Sequence, residues 1–81
     1  MVRRTARLRT PGDVGLAIQQ ARMTRGLSQS DLAQELEVSQ SAISEIESGK
    51  STIYLRRIFE LARLTGIELN ATWNDGDAPS S

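Results

Sequence analysis

The segment spanning residues 26–50 constrains the fold most, because it carries two helix-start signals separated by a tight turn. It reads GLSQSDLAQELEVSQSAISEIESGK. Ser28 precedes a helical apolar pattern and has Asp31 three residues later, an acidic form of the capping box. Ser39 repeats the signal before Ile43. Since only two residues separate the first helix from the second cap, the helices must cross steeply, and the pattern predicts a helix-turn-helix.

The second of these helices has an outward face made of short polar side chains. At 100° per residue, Ile43 and Glu47 point inward. The outward residues are Gln40, Ser41, Ser44, Glu45 and Ser48. Ser is a poor helix former, so a helix that needed only solubility would more often carry Lys, Glu or Arg there. Gln and Ser can read base edges in the major groove, and we predict that this face contacts DNA. A Ser-rich surface helix with no partner is the alternative.

These residues resemble the Cro and phage-repressor class of helix-turn-helix domains. The match is carried by Arg22, Gln29, Leu32, Ala33, Val38, Ser39, Ile43, Glu47 and Gly49. The resemblance implies that Gln29 binds a phosphate and braces Gln40. It also implies that Gln40, Ser41 and Ser44 face base edges. One position departs from the pattern, because Glu37 stands where the turn usually has Gly. A non-Gly residue in a left-handed turn costs roughly 1 kcal/mol, which the fold can tolerate.

The distribution of charge matters because the formal net charge is zero, which is unusual for a DNA-binding protein. Residues 1–26 carry a net charge of +5 and residues 27–81 a net charge of −5. Much of the acid lies on helices or tail that the motif turns away from DNA, so the charge is polarised rather than absent. Glu45 is the exception on the outward face. It either accepts from a cytosine amine, or repels phosphate at wrong sites, or is a solvated rim charge.

The chain begins with a basic segment that has no periodic apolar pattern. We expect residues 1–9 to form a flexible arm that neutralises phosphates or enters a narrow minor groove. The arginines of this arm are Arg3, Arg4, Arg7 and Arg9.

Residues 10–66 are expected to form the helical DNA-binding domain. Thr10 and the following proline begin its first helix. Arg22 continues the buried stripe of that helix, and Glu47 of the second motif helix also points inward. We therefore predict a buried ion pair that fixes the helices relative to each other, rather than a catalytic pair.

The turn that follows the motif is a candidate phosphate site. Thr52 caps a further helix, and free backbone N–H groups converge at its start with the side chains of Lys50 and Ser51. Arg56 and Arg57 lie one turn further on. They either contact DNA or only solubilise the helix.

After residue 66 the apolar period changes from helical to alternating. The residues on one side are Ile67, Leu69, Ala71 and Trp73. This alternation predicts a half-buried strand over residues 67–73. A single strand in an otherwise helical chain lacks a partner, so we expect it to pair with the same strand of a second subunit across a two-fold axis. A frayed amphipathic tail is the alternative. Residues 74–81 are polar and are expected to be disordered.

The composition excludes several classes of function. The chain has no Cys and no His, which excludes disulfides, zinc fingers, thiol catalysis and imidazole chemistry. No apolar run approaches ~18 residues, and the basic start lacks the apolar core of a signal peptide. We therefore expect a cytoplasmic protein without membrane association. No catalytic constellation is visible, so neither an enzyme nor a cofactor or metal site is expected.

The basic start, the Thr-Pro cap, the four predicted helices and the terminal IELNATW strand together resemble the HipB-type antitoxins, a branch of the same class. We predict an all-α, four-helix, lambda-repressor-like domain whose C-terminal β-strand pairs across a homodimer. Two linked recognition helices imply a near-palindromic operator in double-stranded DNA. The resemblance implies a sequence-specific repressor that is also the antitoxin of a HipA-type kinase toxin. The alternatives are a free-standing prophage-type regulator and a protein-interaction module that has lost DNA binding.

Overall fold

The structure is a computed structural model that describes residues 2–75. Four helices lie between two strands in the described chain. Strand β1 spans Val2–Leu8, the helices α1 to α4 span Pro11–Thr24, Gln29–Leu36, Gln40–Glu47 and Ile53–Thr65, and strand β2 spans Leu69–Asp75. The four predicted helices are confirmed, and α2 and α3 form the helix-turn-helix.

Local signals in the sequence set the helix boundaries. The side chains of Thr10, Ser28, Ser39 and Thr52 each accept a hydrogen bond from a backbone N–H three residues later. In α1 and α2 an aspartate at the third helical position completes a capping box. Glu37 ends α2 in the left-handed conformation, with φ 56° and ψ 44°. The strained turn predicted at this position is therefore present without a glycine.

The largest departure from the predicted fold is a two-stranded antiparallel sheet. Strand β1 pairs with β2 along its whole length, from Val2 opposite Asp75 to Leu8 opposite Leu69. The domain is therefore not purely all-α, and the segment expected to be a flexible arm is a strand over residues 2–8. Residues 74 and 75, which were expected to begin a disordered tail, end β2. The rest of that predicted tail lies outside the described residues.

The physical reason is that β2 finds a backbone partner within its own chain. The expectation of a second subunit's strand rested on the unpaired N–H and C=O groups of a lone strand. Strand β1 satisfies one edge of β2, so β2 does not depend on a second subunit for a partner, and pairing of its other edge across a dimer stays a prediction. The sheet packs on α1. Its half-buried side chains are Ala6, Leu8, Leu69, Ala71, Trp73 and Asp75.

Helix α1 is the central element, because it packs against both α3 and the sheet. Gly15 is buried where α1 meets the C-terminal end of α3. A Cβ atom built at this position would lie 2.3 Å from the carbonyl oxygen of Ile46 and 2.6 Å from that of Glu47. Gly15 therefore sets the distance between α1 and α3. The signal in the sequence that could have identified this residue is a glycine inside a predicted helix.

The buried core of the described chain is small. Its buried hydrophobic residues are Ala17, Ala33, Ile43, Phe59 and Ala62. The radius of gyration is 13.9 Å, with extents of 44 × 31 × 15 Å, whereas a compact domain of this length has a radius of about 12 Å. The single chain is therefore a thin layer with much apolar surface uncovered.

We predict that Gly15→Ala destabilises the domain by about 2 kcal/mol, because the new methyl group overlaps two backbone carbonyls. Urea unfolding followed by circular dichroism measures this loss. Gly12→Ala is the matched control, since a Cβ there meets only Thr10 Oγ1, at 3.5 Å. Ala is the better helix former, so the control should be as stable as the parent or slightly more stable. Equal effects of the two substitutions would contradict the close approach of α1 and α3.

Candidate nucleic-acid interface

Helix α3 presents the polar face that its sequence indicates. Ile43 and Glu47 are its buried residues. The exposed residues of α3 and its C-cap include Gln40, Ser41, Ser44, Glu45 and Ser48. The capping residue Ser39 is exposed as well. This strip of polar side chains lies on a helix, and the major groove of B-DNA is wide enough to admit a helix.

A buried ion pair holds α3 against α1. Arg22 Nε donates to Glu47 Oε2 at 2.6 Å, and Arg22 Nη2 donates to Glu47 Oε1 at 3.1 Å. The two side chains are only 11% and 2% exposed. Arg22 Nη1 also donates to the carbonyl oxygen of Leu27 at 2.8 Å, on the loop that leads into α2. The predicted ion pair is therefore present, and its bidentate geometry fixes the orientation of α3 relative to α1.

The ion pair shifts the ionisation of both partners. The hydrogen bond from Arg22 holds the pKa of Glu47 below its usual range, although desolvation by burial acts in the opposite direction. The same hydrogen bond raises the pKa of Arg22. Glu47 is therefore ionised at neutral pH, and its side chain can only accept hydrogen bonds.

Further hydrogen bonds lead from this ion pair to the exposed face of α3. Gln29 Nε2 donates to Glu47 Oε1 at 3.0 Å. Gln40 Nε2 donates to Gln29 Oε1 at 3.5 Å, near the long limit for a hydrogen bond. Ser30 Oγ donates to Gln40 Oε1 at 3.2 Å. The structure thus contains the brace between Gln29 and Gln40. Ser30 is a partner that sequence reasoning missed, because no local pattern links it to a residue on the next helix.

The residues expected to form a phosphate site lie together at the start of α4. Thr52 Oγ1 accepts from the backbone N–H of Leu55 at 3.2 Å and so acts as the cap. Arg56 Nη1 donates to Ser51 Oγ at 3.3 Å, which brings its guanidinium to the same turn. Lys50, Ser51 and Thr52 line an open depression that extends to the surface of α3. This arrangement could hold one phosphate of a bound duplex.

Two basic residues near this turn, Lys50 and Arg57, each pair with a glutamate of the same chain. Lys50 Nζ lies 3.5 Å from Glu45 Oε2, and both side chains are exposed. Glu45 is thus an exposed charge paired with Lys50 in the free protein, and its role toward DNA stays a prediction. Arg57 forms an exposed pair with Glu60 at 3.3 Å, which is consistent with a solubilising role.

The arginines of strand β1 are partly matched by acidic side chains. Arg4 Nη2 lies 2.7 Å from Asp75 Oδ2, and Arg7 Nη2 lies 3.7 Å from Glu68 Oε2. Arg3, on the same strand, is exposed. Arg9 follows the strand, and its backbone N–H donates to the Asp13 carboxylate at 2.8 Å.

The sheet lies on the side of α1 that faces away from α3. Gln20 and Thr24 line the surface beside Trp73. On a regular helix these two positions are about 140° to 180° from Gly15, which faces α3. The structure does not bring the β1 arginines to the recognition helix, and their contact with DNA stays a prediction.

Residues 2–75 contain no group of His, Cys, Asp or Glu side chains arranged to hold a metal ion. No helix in this part of the chain is long and apolar enough to span a membrane.

Comparison with known proteins agrees with the architecture of this interface. The family described as helix-turn-helix matches residues 18–71, which include α2, α3 and α4. A zebrafish (Danio rerio) protein named endothelial differentiation-related factor 1 homolog is 36% identical over 61 residues. The match covers 75% of this chain but 42% of that relative, so the chain spans less than half of the relative's length. No solved structure matches the chain.

We predict that the contribution of Glu47 to stability is present at neutral pH and is lost in acid. Its pKa is lower in the folded state than the value of about 4.3 in an unfolded chain. The stabilisation is therefore complete above that value and disappears as pH falls through the folded-state pKa. Thermal unfolding should show Glu47→Gln less stable than the parent by about 3 kcal/mol at neutral pH, because Arg22 is left without its ionised partner. The difference should narrow as the pH is lowered below the unfolded-state value and through the folded-state pKa. Glu60→Gln, at an exposed position of α4 outside the ion pair of Arg22 and Glu47, is the control. A stability loss for Glu47→Gln that does not change with pH would contradict the prediction.

Proposed function

This chain belongs to the helix-turn-helix family of the Cro and C1 type, and we propose that it is a sequence-specific transcriptional repressor. DNA binding and transcription regulation are the activities of this family. The observation that carries the proposal is the exposed polar strip of α3. The buried ion pair of Arg22 and Glu47 holds this helix at a fixed orientation relative to α1. Fixed placement of a recognition helix is what base reading requires.

In the proposed complex, base-reading and phosphate-binding roles fall to different residues. Gln40 pairs with an adenine through its amide, while Ser41 and Ser44 contact neighbouring base edges. One N–H of Gln29 Nε2 is used on Glu47, which leaves the other for a phosphate oxygen. A second phosphate would bind at the turn that begins α4, where the helix N-terminus favours an anion. These phosphate contacts position α3 in the groove without carrying sequence information.

We predict that Gln40→Ala weakens binding to the preferred duplex by about 1 to 3 kcal/mol and relaxes the preference at one base pair per half-site. Binding to random DNA should change little, because that binding depends on phosphate contacts. Gel shifts against a duplex selected from a random library, and against unselected DNA, measure both quantities. Gln34→Ala, an exposed glutamine on α2, is the control. Equal losses on the two DNAs would assign Gln40 to phosphate, and no selected duplex would favour the protein-interaction alternative.

We also propose that the protein acts as a homodimer, with its interface on the exposed face of α4. Tyr54 and Leu64 are 80% and 81% exposed, and Ile58 and Leu61 are 50% and 59% exposed. Tyr54, Ile58 and Leu61 recur at helical spacing and so form one continuous apolar stripe. Contiguous exposed apolar surface of this kind marks an interaction site.

A second copy of the chain is the occupant that fits this stripe. The chain is thin, 15 Å in its shortest dimension, and its buried core consists mostly of alanines. A domain this small gains most from doubling its core across a two-fold axis. Because the formal net charge is zero, two copies of the chain do not repel each other overall. The sequence predicts pairing of the C-terminal strand with the same strand of a second subunit, and pairing of the open edges of two β2 strands would extend the same contact.

Introducing a charge on this stripe should produce monomers. We predict that Leu61→Glu shifts sedimentation from dimer to monomer, because a carboxylate cannot be buried without a partner. DNA affinity should fall with it, since two half-sites about one helical turn apart need linked recognition helices. Leu16→Glu, at a similarly exposed position on α1, should leave the dimer intact. A Leu61→Glu protein that still sediments as a dimer would place the interface elsewhere, such as at the β2 edge.

The antitoxin role is a finer proposal that rests on the resemblance to HipB-type proteins. Its physical support is the net charge of −5 on residues 27–81, which suits a basic protein partner. A kinase-like gene beside this one, whose product co-purifies with the dimer and loses its toxicity, would support the role. A neighbour that neither binds nor is neutralised would favour the free-standing regulator.

A further inference from the structure

We propose that the buried carboxylate of Glu47 sets the orientation of the Gln40 amide through Gln29, and that Ser30 holds the other end of that amide. Gln40 then presents its donor and its acceptor to DNA in one fixed order. Ser30 becomes a specificity-determining residue although it lies on α2, outside the recognition helix. The inference rests on the proposed function, because it concerns how the same helix reads a base pair.

The first step follows from the chemistry of a carboxylate. Glu47 Oε1 can only accept, so the atom of Gln29 that lies 3.0 Å away must be Nε2. If the Gln29 amide were reversed, its Oε1 atom would face Glu47 Oε1 and no hydrogen bond would form between them. Because the Glu47 side chain is almost fully buried, the loss of that hydrogen bond would be costly. Gln29 therefore turns its Oε1 atom toward the surface and toward Gln40.

The second step transfers this polarity from Gln29 to Gln40. Gln29 Oε1 is an acceptor, so Gln40 must present Nε2 to it, at 3.5 Å. The opposite end of the same amide, Gln40 Oε1, accepts from the Ser30 hydroxyl at 3.2 Å. Each of these contacts is weak and exposed, but both oppose the same rotation. Together they favour one of the two orientations of an amide whose terminal torsion is otherwise broad and two-fold.

The third step concerns what remains free for DNA. In this orientation Nε2 keeps one N–H and Oε1 keeps one lone pair. Adenine offers N7 as an acceptor and N6–H as a donor in the major groove, so it can pair with both free positions of this amide. Guanine offers two acceptors, so its O6 would face Gln40 Oε1. An amide without the Ser30 contact can turn over or swing aside, which would weaken the preference for adenine.

Side-chain amide relaxation measured by NMR on the full chain without DNA tests the brace directly. The Gln40 NH₂ group should be ordered, whereas that of Gln34, an exposed residue with no role in the brace, should be mobile on the picosecond to nanosecond timescale. Ser30→Ala should loosen the Gln40 amide without lowering thermal stability, because Ala is the better helix former at this exposed site. Ser30→Thr, which keeps the hydroxyl, should restore the order.

Binding to duplexes selected from a random library by the full chain tests the consequence. Ser30→Ala should reduce the preference for adenine at the Gln40 base pair about fivefold, less than the loss for Gln40→Ala. Ser30→Thr should recover the preference, and Gln34→Ala should leave it unchanged. Glu47→Gln, if it folds, should relax the same base pair, because a neutral amide lets Gln29 turn over.

Two results would overturn the proposal: a Gln40 amide as mobile as that of Gln34, or an unchanged base preference in Ser30→Ala. A protein whose Gln40 amide is ordered but which selects no duplex would instead overturn the proposed function and the reading role with it. The brace would then remain only as a structural feature.

Discussion

The bidentate pair between Arg22 and Glu47 is the interaction on which the rest of this structure depends. It joins α1, which carries the sheet, to α3, which carries the exposed polar strip. A buried ion pair gives little net stability over a well-packed apolar contact, because desolvation of the charges offsets their attraction. Its value here is geometric. Gly15 serves the same interface by letting the α1 backbone reach the carbonyl groups at the end of α3.

The same carboxylate also gives direction to the hydrogen bonds that leave the core. Most polar networks can be inverted, since amides and hydroxyls both donate and accept. A network that starts at an ionised carboxylate cannot, because its first partner must be a donor. Glu47 thus links the packing of α1 against α3 to the orientation of Gln29 and, through one more hydrogen bond, to that of Gln40. The buried charge and the exposed face of α3 are in this way parts of one arrangement.

Much of the fold could be predicted from the sequence because its signals are local. The caps at Ser28 and Ser39 and the strained turn at Glu37 each depend on a few neighbouring residues, and all are present. Strand β1 was missed because its partner lies about seventy residues away in sequence and its arginines obscure a short apolar alternation. Ser30 and Gly15 were missed for a different reason, because each contacts a residue on another helix that no local pattern identifies. Their roles appear only when another helix is placed beside them.

The zero net charge of the chain makes the fixed positions of the side chains on α3 more important for DNA binding. A strongly basic protein binds any DNA through its phosphates and can then add modest base discrimination. This chain has a net charge of zero, and two of its β1 arginines face acidic partners on the side of α1 away from α3. Little non-specific attraction is left to supply affinity. A DNA-binding protein of this kind depends on side chains that are already held in their binding orientation. Each side chain that must be ordered on binding costs free energy, and the favourable binding free energy is small to begin with.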